Sequence, residues 1–495
     1  MHVFIGVDIG TTSTIAVAMS RSGLPLASAA RPSRLVSPQP GFAEADPAQW
    51  WSNTQEVLRE MLARLPADAD LAGICVTGML PAVVLLDEGR NVLRPSIQQS
   101  DARCGAEVEA MKRELDEAAF LRRTGQGLTQ QLVAPKLRWL KAHEPRIHTR
   151  IAHVLGSYDF INMQLTGRLT VERNWALEAG FVDLADHLVA PDLVALGGLR
   201  PDALPALAAS HDVIGAVTAQ AAQATGLPEG LPVFGGAADH IASALAAGLT
   251  QAGDVLLKFG GAGDIIAIAG KPEPDRRLFL DYHLVPGLYA PNGCMASSGS
   301  LLRWLAGLLG GSDGDDVLKL LDQEAADLPA GADGVRALPY FLGEKTPIHD
   351  PLARGTFTGL SLSHTRGHLW RAALEAIACG FRHHLDVLAG SGRPATRLLA
   401  SDGGSRSRIW MQIVADICGQ PVHVLSDAFG SSIGAAWVAA VGSGMAGWED
   451  VAASVRIGTV LEPSSSSIMA SDRIYADYRE LYSSLKPFFQ RGQLS

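Results

Sequence analysis

Cysteine is scarce: five residues in 495, Cys75, Cys104, Cys294, Cys379 and Cys418, with no Cys-x-x-Cys pair. An odd number so widely scattered excludes a disulfide framework and reads as reduced core thiols. Basic blocks are missing as well. With a formal net charge of −10 and no cluster of Lys and Arg, the chain lacks the footprint of a nucleic-acid or anionic-membrane binder. Long apolar runs are also absent. The N-terminal run is broken by Asp8 and has no basic flank, so it reads as a strand and not as a signal peptide. The stretch Gly434 to Trp448 is rich in glycine and alanine and too short to span a bilayer. A cytoplasmic location is expected, with neither nucleic acid nor membrane as partner. The dinucleotide fingerprint is missing too, since Gly260-Gly261-Ala262-Gly263 has neither its spacing nor a helix after it. That disfavours a dinucleotide-dependent oxidoreductase.

What is present is a chain long enough for two large domains, 47% hydrophobic and 19% charged, as is ordinary for a globular protein. Its organising stretch is Gly235-Gly236-Ala237-Ala238-Asp239-His240. An apolar strand holding Val233 and Phe234 runs into two glycines, and Asp239 stands where a small-residue helix begins. Asp239 reads either as an N-cap, satisfying free backbone N–H groups, or as a catalytic base, because a carboxylate there stays ionised beside the helix dipole. In the second reading the paired glycines let a substrate approach the backbone. The residues alone leave both open.

A hairpin pattern occurs twice. Phe4 to Val17 reads as strand, hydroxyl-rich turn, strand, with Asp8 just before the turn Gly10-Thr11-Thr12. Val255 to Ile268 repeats it around Gly260-Gly261-Ala262-Gly263. A gapless offset of 250 residues lays Gly260 on Gly10 and Ile265 on Ile15, which marks an internal duplication.

Between the hairpins, Asp46-Pro47 opens a helix with Trp51, Val57, Leu58, Met61, Leu62 and Leu65 on its core face. Strands are predicted over 71–78 and 82–86, and the loop Met79-Leu80-Pro81 between them is a strand-end loop of the kind that binds ligands in α/β folds. Asp101 and Arg103 read as a surface ion pair at a helix start or as a substrate contact. A Pro-, Ala- and Leu-rich stretch over 190–230 reads as connecting helices. Later, Asp402-Gly403-Gly404-Ser405 is a strand-to-helix turn on which a flat ring or a phosphate can lie, and Gly430 to Ala436 starts a helix of small residues. His364 with His368, and His383 with His384, raise zinc, but neither pair has a partner Glu in H-E-x-x-H form or a nearby cysteine.

These motifs together resemble the FGGY carbohydrate kinases of the actin, hexokinase and Hsp70 ATPase superfamily, most closely their xylulokinase-like branch. The match runs through 6–12, Pro135-Lys136-Leu137-Arg138-Trp139, 235–239, 339–347, 402–407 and Ala415-Asp416. The resemblance implies an α/β fold of two ribonuclease-H-like, actin-like ATPase domains flanking a catalytic cleft. Residues 1–249 would form the mainly sugar-binding domain and 250–495 the mainly ATP-binding one. It implies transfer of the γ-phosphate of ATP to a hydroxyl of a ketopentose such as xylulose, or of a related polyol or sugar acid. Asp239 would be the base and Asp8 the Mg²⁺ ligand. Gly10, Thr11, Thr12, Gly260, Gly261 and Gly263 would wrap the phosphates, Gly403, Gly404 and Ser405 would face the adenosine, and Met79, Asp101 and Arg103 would meet the sugar. A homodimer is left open. The other reading within the superfamily is a nucleotide-binding regulatory protein without kinase activity, which has no need of a base such as Asp239.

Three departures from the family pattern are visible. Gly261 and Ala262 replace the usual threonine and serine. Met79-Leu80-Pro81 replaces Gln-Met-His, giving an apolar corner that disfavours D-xylulose, and Gln99-Ser100-Asp101-Ala102-Arg103 keeps a charged pair but loses an aromatic.

Overall fold

Each half of the chain starts from a hairpin of strongly apolar strands, and such strands need cover on both faces. In this computed structural model, which describes residues 1–426 and 430–491, they have it. Two compact units form, neither continuous in sequence. The first holds 1–250, 270–290 and 429–455; the second holds 251–269, 291–428 and 456–495.

The first unit is built on a six-stranded sheet. Its order is Val213–Ala216, Pro232–Ala238, Asp70–Gly78, His2–Ile9, Ser13–Ser20, Pro25–Pro32. The last three form an antiparallel meander, while Asp70–Gly78 and Pro232–Ala238 run parallel to His2–Ile9. Helix Pro47–Leu62 packs on the meander. It begins where Asp46 accepts the Ala48 N–H at 2.9 Å with Pro47 in the first helical position, the arrangement expected of an N-cap. Trp50 rather than Trp51 is the tryptophan buried beneath it. Helix Ser431–Gly442 packs on His2–Ile9 and Asp70–Gly78, and its small residues are what lets it do so. A Cβ on Gly6 would lie 1.8 Å from the Ser432 carbonyl oxygen, and one on Gly434 would lie 1.9 Å from that of Ala242. The 190–230 stretch holds short helices, Pro191–Ala195 and Ala219–Thr225, but also the edge strand Val213–Ala216. That strand pairs only over a few residues, too short for a period to show.

The second unit repeats the plan. Six strands run in the order Tyr289–Met295, Gly263–Ala267, Asp254–Phe259, Arg397–Ser401, Val422–Leu425, Ile457–Leu461. Again an antiparallel meander is followed by two strands parallel to the first, then an antiparallel edge. Phe259 anchors the core, its ring 4.9 Å from both Phe381 and Trp410. The histidine pairs serve structure. His368 Nδ1 accepts the Thr365 N–H at 3.0 Å and its Nε2 lies 3.1 Å from Asp333. His384 sits between the Thr346 hydroxyl and the Gly380 carbonyl, and burial pushes its imidazole down to about 4. No helix among the described residues is long and apolar enough to cross a membrane.

Candidate active site

Strand register assembles the first group. Asp8 lies opposite Thr77, and Thr77 opposite Ala237, so three neighbouring parallel strands, each about 4.8 Å from the next, end together. The Thr77 hydroxyl donates to the Ala237 carbonyl at 2.8 Å and locks that register. At the carboxyl edge this brings together Asp8, the Met79-Leu80-Pro81 loop and Asp239, where open α/β sheets place ligands. The half-buried Asp8 turns its carboxylate over the turn, with Oδ2 3.6 Å from where a Gly10 Cβ would stand. Gly10 closes the turn by donating to Ser13 at 2.9 Å, and Thr11 and Thr12 are exposed.

Asp239 is not the cap of its helix. Ala238 holds that place, and Asp239 is the first residue of Asp239–Ala246. Its Oδ1 accepts the adjacent His240 N–H at 2.6 Å and lies 3.4 Å from His240 Nδ1. The paired glycines before it are required by packing. A Cβ on Gly235 would lie 2.2 Å from the Ala209 carbonyl oxygen, and one on Gly236, at φ +109°, would lie 2.8 Å from the Tyr158 ring.

The sugar-side residues are more deeply held than a surface reading allows. Arg103 and Asp101 have no exposed side-chain area. Arg103 donates from Nε and Nη2 to the two Asp101 oxygens at 2.8 Å each, and from Nη2 to Glu44 at 2.6 Å. Its guanidinium lies over Phe42 and Trp139, 4.0 and 4.9 Å from the ring centroids. Asp101 also accepts the Ala43 and Arg103 N–H groups. A buried pair held by this many bonds fixes a wall and is no surface ion pair, although the buried Nη1 of Arg103 makes no hydrogen bond among the described residues. Met79 is buried, its sulfur accepting from the Thr11 hydroxyl at 3.6 Å and its carbonyl from Ser157 at 2.9 Å.

In the second unit Lys258 pairs with Ser401 across parallel strands, which sets the turn Gly260-Gly261-Ala262 beside 402–405. The turn is tied from behind: the Gly260 carbonyl accepts from Gly299 N–H at 2.9 Å, and that of Gly261 from Ser298 and Ser300 at 2.9 and 3.0 Å. Gly261 and Gly403 have open space where a side chain would be, whereas Gly263 and Gly404 are packed against Met295 and Trp410. The Ser405 hydroxyl is committed to the Asp402 carbonyl at 2.7 Å.

Two features escape the sequence reading. Asp402 directs Oδ2 to within 3.6 Å of the Cβ position of Gly260 from a backbone at φ +72°, a conformation costly for a non-glycine residue. Its signal was an aspartate ahead of a double glycine. The other is a cluster of Glu178, His240 and Asp281, whose ligand-capable atoms lie within 4.8 Å of one another, brought from three separate stretches of chain.

Two units of one topology, each closing a tight hairpin of small residues beside strand-end aspartates, make this a two-domain protein of the actin-like ATPase fold. A solved structure of a xylulose kinase from Rhodospirillum rubrum superposes with a TM-score of 0.95 at 59% identity, covering 99% of this chain and 100% of that one. The xylulose kinase of Klebsiella pneumoniae is 31% identical over 445 residues, 89% of this chain and 90% of that protein. That of Bacillus subtilis is 27% identical over 491 residues, 98% of each. Residues 3–246 match the model of the FGGY family of carbohydrate kinases, N-terminal domain, and residues 266–443 its C-terminal domain. The chain belongs to the FGGY family of carbohydrate kinases, and it is an ATP-dependent sugar kinase acting on a small-molecule sugar.

Proposed function

We propose that the acceptor is a ketopentose of the xylulose type and that Asp239 removes the proton of the hydroxyl that is phosphorylated. The 59% identity to the Rhodospirillum rubrum xylulose kinase over nearly the whole chain carries this reading and outweighs the expectation that the apolar corner Met79-Leu80-Pro81 disfavours D-xylulose. The residues fit the chemistry. Phosphoryl transfer passes through a loose transition state, so positioning and charge neutralisation dominate and a carboxylate base is needed only late. Asp239 is 36% exposed, enough to meet a substrate from a helix N-terminus that favours its ionised form.

Asp8 offers the hard oxygen that Mg²⁺ requires; the metal would neutralise charge on the transferring phosphate. Gly10, Thr11, Thr12, Gly260, Gly261 and Gly263 are assigned to the phosphates, and Gly403, Gly404 and Ser405 to adenosine. Within these, the open faces at Gly261 and Gly403 leave backbone for direct approach, while Gly263 and Gly404 hold the turns in shape. On the sugar side Met79, Asp101 and Arg103 form a fixed wall. Because Arg103 spends its bidentate face on Asp101, a neutral ketose fits this wall better than a sugar acid does. Residues 1–249 carry mainly the sugar and 250–495 mainly ATP in this reading, in a cytoplasmic enzyme that is a monomer or a homodimer.

The test is ADP release over a panel of ketopentoses, pentitols, tetritols and sugar acids, in the natural protein and in Met79→Gln with Pro81→His. D-xylulose giving the highest kcat/KM supports the reading. A sugar acid giving the highest would overturn it.

A further inference from the structure

The residue next to Asp239 is held with unusual care. His240 Nε2 lies 3.0 Å from Asp281 Oδ2 and 3.8 Å from Glu178, while its Nδ1 faces Asp239 at 3.4 Å. Exposure falls in steps along this row, from 36% at Asp239 through 27% at His240 and 16% at Glu178 to 1% at Asp281. The row therefore leads from solvent into the protein, with Asp239 at its open end. Asp281 is fixed by its strand, Phe279–Tyr282, whose Tyr282 exchanges two hydrogen bonds with the Asn174 side chain at 2.7 and 2.8 Å. Asn174 lies in the helix Arg173–Glu178 that also carries Glu178. A third bond, from Gln126 to the Leu280 carbonyl at 2.7 Å, pins the same strand.

We propose that His240 is a positioning residue, held as an imidazolium by Asp281 and Glu178, that orients the Asp239 carboxylate and keeps it ionised. The proposal rests on Asp239 being the base. Burial opposes a charged imidazole, but Asp281, Asp239 and Glu178 outweigh it and hold His240 well above its ordinary range. Burial, and next the charge of Asp281, raise Glu178 well above the ordinary carboxylate range. Lys136, which feels the charge of Glu178, is itself buried, brought down to about 8 by burial and committed to the carbonyls of Gln130 and Gln131. The imidazolium thus stands between the carboxylates of Asp281 and Asp239. An opposite charge this close lowers a carboxylate's pKa by roughly one unit or more.

Two measurements test this. In the first, the histidine ring signals are followed by NMR against pH in the natural protein and in Asp281→Asn. His240 should titrate well above its ordinary range in the former and near its ordinary value in the latter. A natural-protein His240 that titrates near its ordinary value overturns the proposal without reference to activity. In the second, kcat/KM is profiled against pH for His240→Gln, with His240→Asn as the alternative should Gln misfold. The acid limb should rise by about one pH unit while the alkaline plateau stays within about threefold. A loss equal at every pH means a structural role only. Asp239→Asn keeps the two readings apart. If it is inactive while the His240→Gln profile is merely lowered, only the positioning role fails. If it is fully active, the base assignment fails, and the positioning role with it.

Discussion

The two hairpins that found the two units share a topology and differ by one residue at the turn. Ile9 faces Thr14 across Gly10, Thr11, Thr12 and Ser13, whereas Phe259 faces Gly263 across Gly260, Gly261 and Ala262. The gapless offset of 250 is therefore right for the outgoing strands and wrong for the returning ones. Opposite Asp8 stands Ile15, but opposite Lys258, its counterpart, stands Asp264 and not Ile265. A one-residue change in a hairpin shifts every returning side chain to the other face, so a duplicated backbone acquired unlike side-chain chemistry. The first turn keeps a carboxylate over hydroxyl residues. The second has lost its hydroxyls and is braced instead by backbone N–H groups at 298–300.

The comparison breaks most sharply at the two matching positions before the turns. Asp8→Asn should lower kcat by about 100-fold or more and raise the Mg²⁺ concentration needed for half-maximal rate, the loss expected when a metal-facing carboxylate goes. Lys258→Met should change kcat less than about threefold. Equal losses would make the hairpins functionally equivalent. Next in size, Asp239→Asn should cost about 100-fold in kcat, as for a lost general base. Its far-ultraviolet circular dichroism should be unchanged, since Ala238 and not Asp239 occupies the cap. A third pair concerns stability. Gly6→Ala has no room beside the Ser432 carbonyl and should cost about 1–3 kcal/mol or more by overpacking. At the matching second-hairpin position, the buried Leu256 should cost about 2–5 kcal/mol as Leu256→Ala through a cavity. Urea denaturation reads both, and a neutral Gly6→Ala would deny the close approach. The smallest effect belongs to Gly261→Thr with Ala262→Ser. There is open space at Gly261, and restored hydroxyls should lower KM for ATP by roughly two- to tenfold. No change would mean that the backbone alone suffices there.

What the sequence made legible is what local rules control. The hairpins show in their apolar strands and small-residue turns, and the helix at Pro47 in its cap. What it hid depends on partners far along the chain. Asp101 and Arg103 look like a surface pair until Glu44, Phe42 and Trp139 close over them. Gly235 and Gly236 look like room for a ligand until Ala209 and Tyr158 fill it. His240 reads as an unremarkable neighbour of Asp239 because Glu178 and Asp281, which give it meaning, lie 62 residues before and 41 residues after it. Residue types at the site could be named early; their neighbours could not.

The helix Ser431–Gly442 has a consequence for how the protein is made. It supplies cover for the first strand of the chain, yet the ribosome adds it some 420 residues later. The founding sheet of the first unit must therefore wait, with an apolar face bare at Gly6, while most of the second unit is translated. A nascent chain halted near residue 250 is a half-covered sheet and a natural client for chaperones. Completion of the N-terminal unit is thus timed by the C-terminal part of the message.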